Sequence, residues 1–256
     1  MNLALIRLLH LASPALPVGA YTYSQGLEWA VESGAISNEA SAGQWIGDCL
    51  THSLASFEAV YLAHMLAAWR NGDTTQLEEL DAEFIASRET AELRAETLQM
   101  GHSLARLLRD LSSSCRHPGE CRGPVVAPAR TLDTGTCALW GIRWYDGTPK
   151  QDLTGFPQPS FPLAWSCAAA NWNIEPVDAI AGYLWAWLEN QVMAALKAAP
   201  LGQTAGQRLL LTLGDRLPEL ARQAAAIPLD QARNFLPAFA LASSLHETQY
   251  TRIFRS

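Results

Sequence analysis

Charge is the first thing this chain has little of. Lys, Arg, Asp and Glu make up 17% of its 256 residues, against about a quarter in an average soluble domain. A surface so poor in charge is expected to be covered in part by a partner. Acids outnumber bases to a net charge of −7. The excess is uneven: residues 1–111 hold fourteen acids and six Lys/Arg, whereas residues 161–256 hold seven of each. No basic stripe exists to neutralise phosphates, which argues against nucleic-acid binding. An acidic first half suits a basic protein partner instead. The five cysteines, at 49, 115, 121, 137 and 167, are odd in number and scattered. Met1–Leu11 carries Arg7 and His10 and no cleavage pattern, so a cytoplasmic protein with free thiols is expected. The most hydrophobic stretch, Val177–Ala199, is interrupted by Asp178, Glu189, Asn190, Gln191 and Lys197. It reads as a core helix, so no membrane span is expected.

Catalytic signatures are missing too. Neither G-x-x-x-x-G-K-[ST] nor G-x-G-x-x-G occurs. Gly202–Gln207 looks glycine-rich, but it lacks the lysine and follows a helix where a phosphate loop would follow a strand. The histidines at 10, 52, 64, 102, 117 and 246 form no H-E-x-x-H, and Ser13 and Ser24 sit in no G-x-S-x-G elbow. Cys115 and Cys121 flank His117, but the matching pair that a zinc knuckle needs is absent. No catalytic residue, metal site or cofactor is expected.

What the chain has is helical texture. Leu3 to Leu11 form a short apolar helix that Pro14 must end, because the residue before proline avoids the α region. Periodicity resumes near Ser24, and Gly34 suits a C-cap. Ser37-Asn38-Glu39 opens a long helix to about Trp69, and Asn71-Gly72-Asp73 is a turn. Helices are expected over Thr74–Ile85, Glu89–Leu111, Phe161–Trp172, Val177–Ala198 (with Pro176 in its first turn) and about 238–248. A further span, 204–225, should be split by Pro218. No alternating strand pattern longer than about four residues occurs outside 112–160. The fold class is all-α, a bundle-like single domain over 1–256 of about eight to ten helices. Residues 112–160, rich in Pro, Gly and Cys, are read as a solvated, disordered insertion.

Three stretches are polar or aromatic where packing alone would not ask for it. The first is SPALPVGAYTYSQGLE, residues 13–28, with Tyr21, Tyr23, Gln25 and Glu28. Its prolines stop the first helix, and Ser24 is placed to cap the next. The second runs from Glu189 through Lys197 to Gln203 and Gln207; a solvated helix face explains it equally well. The third is HETQYTRIFRS, with His246, Glu247, Gln249, Tyr250, Arg252, Phe254 and Arg255. Terminal residues usually fray, but aromatic and Arg side chains are what docking surfaces are built from.

These stretches together resemble one family, the urease accessory protein UreF. The similarity is carried by LLHLASPALPVGAYTYSQGLEWAVESG, YLWAWLENQVMAALKAAPLGQTAGQRLLL and LASSLHETQYTRIFRS. Departures are His10 where glutamine is frequent, Ala20 where a second glycine is usual, Tyr21 and Thr22 for Phe and Ser, and the segment 112–160. Ala20 implies that a positive φ is not required there. The resemblance implies a non-catalytic maturation factor that tends to dimerise. It would bridge UreD (also called UreH) and the GTPase UreG on apo-urease during GTP-dependent nickel insertion. Glu28 and Lys197 would face UreG, and the tail from His246 to Arg255 would order on UreD. Two other readings stay open: a nickel holder using His10, Cys49 or His246 across a dimer, and an arginine finger at Arg208 or Arg252.

Overall fold

The computed structural model describes residues 2–113 and 152–255, and every element among them is helical. Helix α1 (Leu3–Leu11) is capped by the Asn2 side chain. A 3-10 turn at Ala20–Thr22 follows, then α2 (Leu27–Glu32). Helix α3 (Glu39–Cys49) opens with a capping box: the Asn38 side chain accepts the Ser41 N–H, and Ser41 Oγ accepts the Asn38 N–H. It runs on through a π-helical segment, Leu50–Glu58, into α4 (Ala59–Asn71). Gly72 at φ +70° ends that rod, and Asp73 caps α5 (Thr74–Ala86). Helix α6 spans Ala91–Ser113. Helix α7 (Phe161–Asn171) starts at the Ser160 cap, and Asn173 at φ +51° turns the chain into α8 (Pro176–Ala198). Then come α9 (Gln203–Gly214), α10 (Leu217–Ala226), a 3-10 turn at Leu229–Gln231 and α11 (Pro237–His246).

With α3 and α4 counted as one rod, the described residues make ten rods, as the periodicity leads one to expect for an all-α chain. Pro218 splits α9 from α10 by standing in the first turn of the latter. Two helices organise the rest. Helix α8 touches α1, α2, α3, α4, α7, α9 and α10, while α4 packs on α5, α7 and α10. The main core gathers Leu50, Leu62, Trp165, Ile180, Leu184 and Leu188. A second cluster under α5 stacks Phe57, Tyr61 and Phe84. Among the described residues no helix is long and apolar enough to cross a membrane.

Two departures from the sequence expectation have physical causes. The long helix is not regular: its π-helical turns leave Ser56 O free to accept the Arg233 N–H at 2.9 Å, so the chain before α11 is stitched to the rod. Ser56 Oγ and Ser53 Oγ add bonds to Arg233 O and Asn234 Oδ1. Ser24 is not the residue next to α2; Gly26 is, at φ +79°. Ser24 Oγ nevertheless accepts the Glu28 N–H at 3.4 Å, so it satisfies that free donor from two positions upstream. The expected insertion falls mostly on 114–151, outside the described residues. Its flanks are placed: α6 continues through Ser113, and Phe156 packs edge-on against Trp69.

Helix α6 and the entry to α7 touch through a glycine. A Cβ on Gly101 would lie 2.0 Å from Pro159 O. Gly101→Ala should therefore lower stability by about 1–3 kcal/mol despite alanine's better helix propensity. Gly72→Ala meets no atom within 4 Å and should cost only the roughly 1 kcal/mol of a left-handed alanine. Urea denaturation of both variants checks the order.

Candidate docking surface

The 13–28 loop is built by prolines and positive φ angles. Gly19 at φ +85° starts the 3-10 turn, and Thr22 Oγ1 donates to Gly19 O at 2.8 Å. Ala20 lies inside the turn with no positive φ, in line with the alanine there. Gln25 takes φ +54°, unusual for a residue with a side chain. Its amide is held from both sides: Nε2 donates to Glu96 Oε1 at 2.9 Å, and Oε1 accepts from Trp187 Nε1 at 2.7 Å. Tyr23 is buried, donates to Gln99 Oε1 at 2.8 Å and offers its carbonyl to Asn190 Nδ2. Burial, reinforced by Glu96, pushes the Tyr23 phenol up, so it stays a donor. Tyr21 alone of this group points outward.

Glu28 lies in the first turn of α2, where the helix dipole favours a carboxylate. It is 6% exposed, so its charge must be matched by donors. They come from the far end of the chain. Ile253 N donates to Oε1 at 2.7 Å, Phe254 N to Oε2 at 3.0 Å, and His246 Nε2 lies 3.3 Å from Oε2. His246 is fully buried, and its Nδ1 stands 2.8 Å from Glu92 Oε2. Arg252 closes the set, with its guanidinium 2.7 Å from Glu92 Oε1. Further along, Arg255 N donates to Thr22 O at 2.8 Å, Phe254 is buried, and Lys197 Nζ sits 5.7 Å from the Phe254 ring centre. Gln249 reaches Glu32, and Glu247 accepts the Glu92 N–H. The final residues thus lie folded on α2, the start of α6 and the 13–28 loop. Gly26 permits this: a Cβ there would fall 2.7 Å from Ser243 N of α11.

The residues singled out from the sequence therefore divide. Tyr23, Glu28, His246 and Phe254 are buried within the chain, and Gln25 and Gln249 are half-buried. Tyr21, Lys197, Gln203, Gln207, Glu247, Tyr250, Arg252 and Arg255 are exposed. Asn190, from the polar stretch at the end of α8, joins the assembly through Tyr23 O, and Glu92, Glu96 and Gln99 complete it. Nothing in the local sequence of these last three marks them, because each meets its partner across the fold. Apolar side chains are left in solvent on α1 (Leu3, Leu5, Leu9) and around α11 (Phe235, Leu241, Leu245).

A second buried charge lies under the same loop. Glu58, at the end of the π-helical segment, pairs with Arg88 at 2.6 Å and accepts the Tyr183 O–H at 2.8 Å. These groups border a cavity of about 310 Å³ whose walls include Leu16, Met100 and Trp187. The nickel-holder reading meets two obstacles. Burial pushes the Cys49 thiol well up, away from the thiolate a metal takes, and both nitrogens of His246 are engaged. Among the described residues no three His, Cys, Asp or Glu are grouped to hold a metal. Arg208 and Arg252 are each paired, with Glu39 and Glu92.

Removing the Glu28 carboxylate strands two amides and an imidazole. Glu28→Ala should cost about 3 kcal/mol and release the tail. Hydrogen exchange at Ile253 and Phe254 should rise to the rate of an unstructured peptide while the core amides stay protected.

Comparison with known proteins places the chain in a family. The UreF family model matches residues 36–214. A urease accessory protein UreF of Azoarcus sp. (strain BH72) is 54% identical over 254 residues, covering 99% of this chain and 96% of that one. Its counterpart in Dechloromonas aromatica (strain RCB) is 52% identical, with 99% and 98% covered. That of Methylobacillus flagellatus is 42% identical over 253 residues, with 99% and 98% covered. Matched over more than half its length by the family model, and aligned nearly end to end with these relatives, the chain belongs to the UreF family of urease accessory proteins.

Proposed function

We propose that the chain is a non-catalytic, cytoplasmic scaffold of urease maturation. It bridges UreD (UreH) and the GTPase UreG on apo-urease and regulates the GTP-dependent insertion of nickel, working as a homodimer within the complex. The observation that carries this reading is the tail. Its backbone and His246 are anchored on Glu28 and Glu92, while Tyr250 and Ile253 are left in solvent. Buried anchors beside exposed aromatic and aliphatic side chains form a shaped apolar face, the kind of surface whose centre dominates binding. UreD is assigned to that face. Lys197, in the last turn of α8, and Gln203 and Gln207 at the start of α9 are exposed and offer UreG a polar face. The exposed leucines of α1 are assigned to the second copy. Membership of an accessory family, with no local catalytic constellation in the sequence, supports a role through binding.

Glu28 enters this picture differently from Lys197. Its carboxylate lies beneath the tail, so its influence on UreG passes through the tail's position.

Co-purification with UreD and UreG tests the reading, and a folded chain that retains neither would overturn it. Deleting 248–256 should abolish UreD capture at least tenfold while α11 stays folded. Lys197→Glu should weaken UreG retention with a stability change within about 0.5 kcal/mol, since it reverses one exposed helix charge.

A further inference from the structure

The cavity of about 310 Å³ lies between the end of α1, the 13–28 loop, α6, α7 and α8. It reaches from a rim at Tyr21 and Met193, which are exposed, down to Trp165 and Tyr183, which are buried. That volume falls at the lower end of the range of about 300–1,000 Å³ in which small molecules bind. Most of the wall is apolar, with Leu16, Met100 and Phe161 lining it beside Trp165 and Trp187. A wall of this kind takes the body of an organic molecule. The charged groups set the sign of what it accepts. Three carboxylates, Glu58, Glu96 and Glu189, and two cations, Arg88 and Lys197, border the cavity. Arg88 is paired with Glu58 at 2.6 Å, and Lys197 stands about two turns beyond Glu189 on α8, over the Phe254 ring. Glu189 is half-buried, and among the described residues no hydrogen bond or ion pair meets its carboxylate. Burial alone therefore raises its pKa, with no cation to hold it down. At Tyr183 the carboxylates prevail too: burial and then Glu58 push the phenol up, and Arg88 offsets only part of this.

We propose that this cavity is a binding site for a small organic cation, a primary ammonium on an aliphatic or aromatic body, with the body held by Leu16, Met100 and Trp187 and the ammonium paired with Glu189. An ammonium there supplies the charge that the half-buried carboxylate lacks. Tyr21 and Trp187 line the same space, and aromatic rings attract a cation that lies over their faces. An anionic ligand meets a field of its own sign, and a neutral one leaves Glu189 unmatched. Arg88 cannot reverse that sign, because it is held by Glu58 and stacked over Phe84. The occupant also touches the 13–28 loop. Gln25, Glu96 and Trp187 all line the cavity and are bonded to one another through the Gln25 amide. A ligand seated among them therefore stiffens the loop whose Thr22 carbonyl receives Arg255 of the tail. The site goes beyond the scaffold reading and does not rest on it, since it lies within one chain and needs no partner protein.

The test uses the full-length chain alone, so its outcome is separate from that of the co-purification. Phenethylamine and hexylamine, both protonated at neutral pH, are titrated into ¹⁵N-labelled protein. Each is run beside its alcohol (phenethyl alcohol, hexanol) and its carboxylate (phenylacetate, hexanoate). At least one amine should shift the Trp187 indole N–H and the Gln25 side-chain amide to saturation. It should bind about fivefold more tightly than the matching alcohol, as one partly screened charge pair allows, and the carboxylates should leave both signals in place. Glu189→Gln removes no contact within the chain, so the variant should stay folded while its amine affinity falls to that of the alcohol. Ala186→Phe, which fills the cavity from α8, should abolish binding of amine and alcohol alike. No saturation by either amine up to about 10 mM overturns the proposal, as does an alcohol or a carboxylate that binds as tightly. Amine binding that survives both substitutions puts the ligand elsewhere and sinks it equally. Tighter binding of Nα-acetyl-lysine methylamide than of either amine makes the cation a protein side chain and overturns the small-molecule assignment.

Discussion

A single buried carboxylate ties the two ends of this chain together. Glu28 receives the backbone of Ile253 and Phe254 and the ring of His246 across more than two hundred residues of sequence. An ionised group out of water is tolerable only when every lone pair is met. The 13–28 loop, α2, α11 and the tail therefore depend on one another. Gly26 lets α11 approach, Ser24 satisfies the helix start, and Gln25 is held at a positive φ by Glu96 and Trp187. Loosening any of these moves the others.

Glu58 repeats the principle deeper in the molecule. Its position at the end of a π-helical segment aims it at Arg88 and Tyr183, and the same segment leaves carbonyl and hydroxyl groups for the chain at 233–234. Arg88 also stacks over Phe84, with 4.3 Å from its guanidinium carbon to the ring centre. A regular α-helix through 50–58 would present different side chains to α8 and leave the segment before α11 without its partners. The irregular helix thus sets where α11 begins, and so where the tail can land.

The low charge content acquires a location from this arrangement. Part of the acidic excess of the first half is neutralised internally by bases of the second half, Arg252 on Glu92 and Arg208 on Glu39. A basic partner for an acidic surface is thus supplied partly by the chain's own tail. Apolar side chains are also left in solvent: the leucines of α1, Leu241 and Leu245 of α11, and Tyr250 and Ile253. The chain that carries these surfaces belongs to the UreF family of urease accessory proteins.

The sequence by itself determined the helices and their ends, because those rest on local rules: Asn38, Asp73 and Ser160 as caps, Gly72 and Asn173 as left-handed stops, and Pro176 and Pro218 as first-turn residues. It also marked the loop, the end of α8 and the tail as out of place in a core, and motifs of that length named the family. It could not say which marked residues turn inward. Tyr21 and Tyr23 are two positions apart, yet one is in solvent and the other bonded to Gln99. Nor could it find Glu92, Glu96 and Gln99, whose roles exist only once α6 lies beside the 13–28 loop and the end of α11. The π-helical turns escaped as well, since the hydrophobic period through 50–58 is nearly that of an α-helix. Only the tertiary structure decided these points, because a buried charge chooses its partners by proximity in space, and periodicity and capping carry no information about which distant donors will arrive.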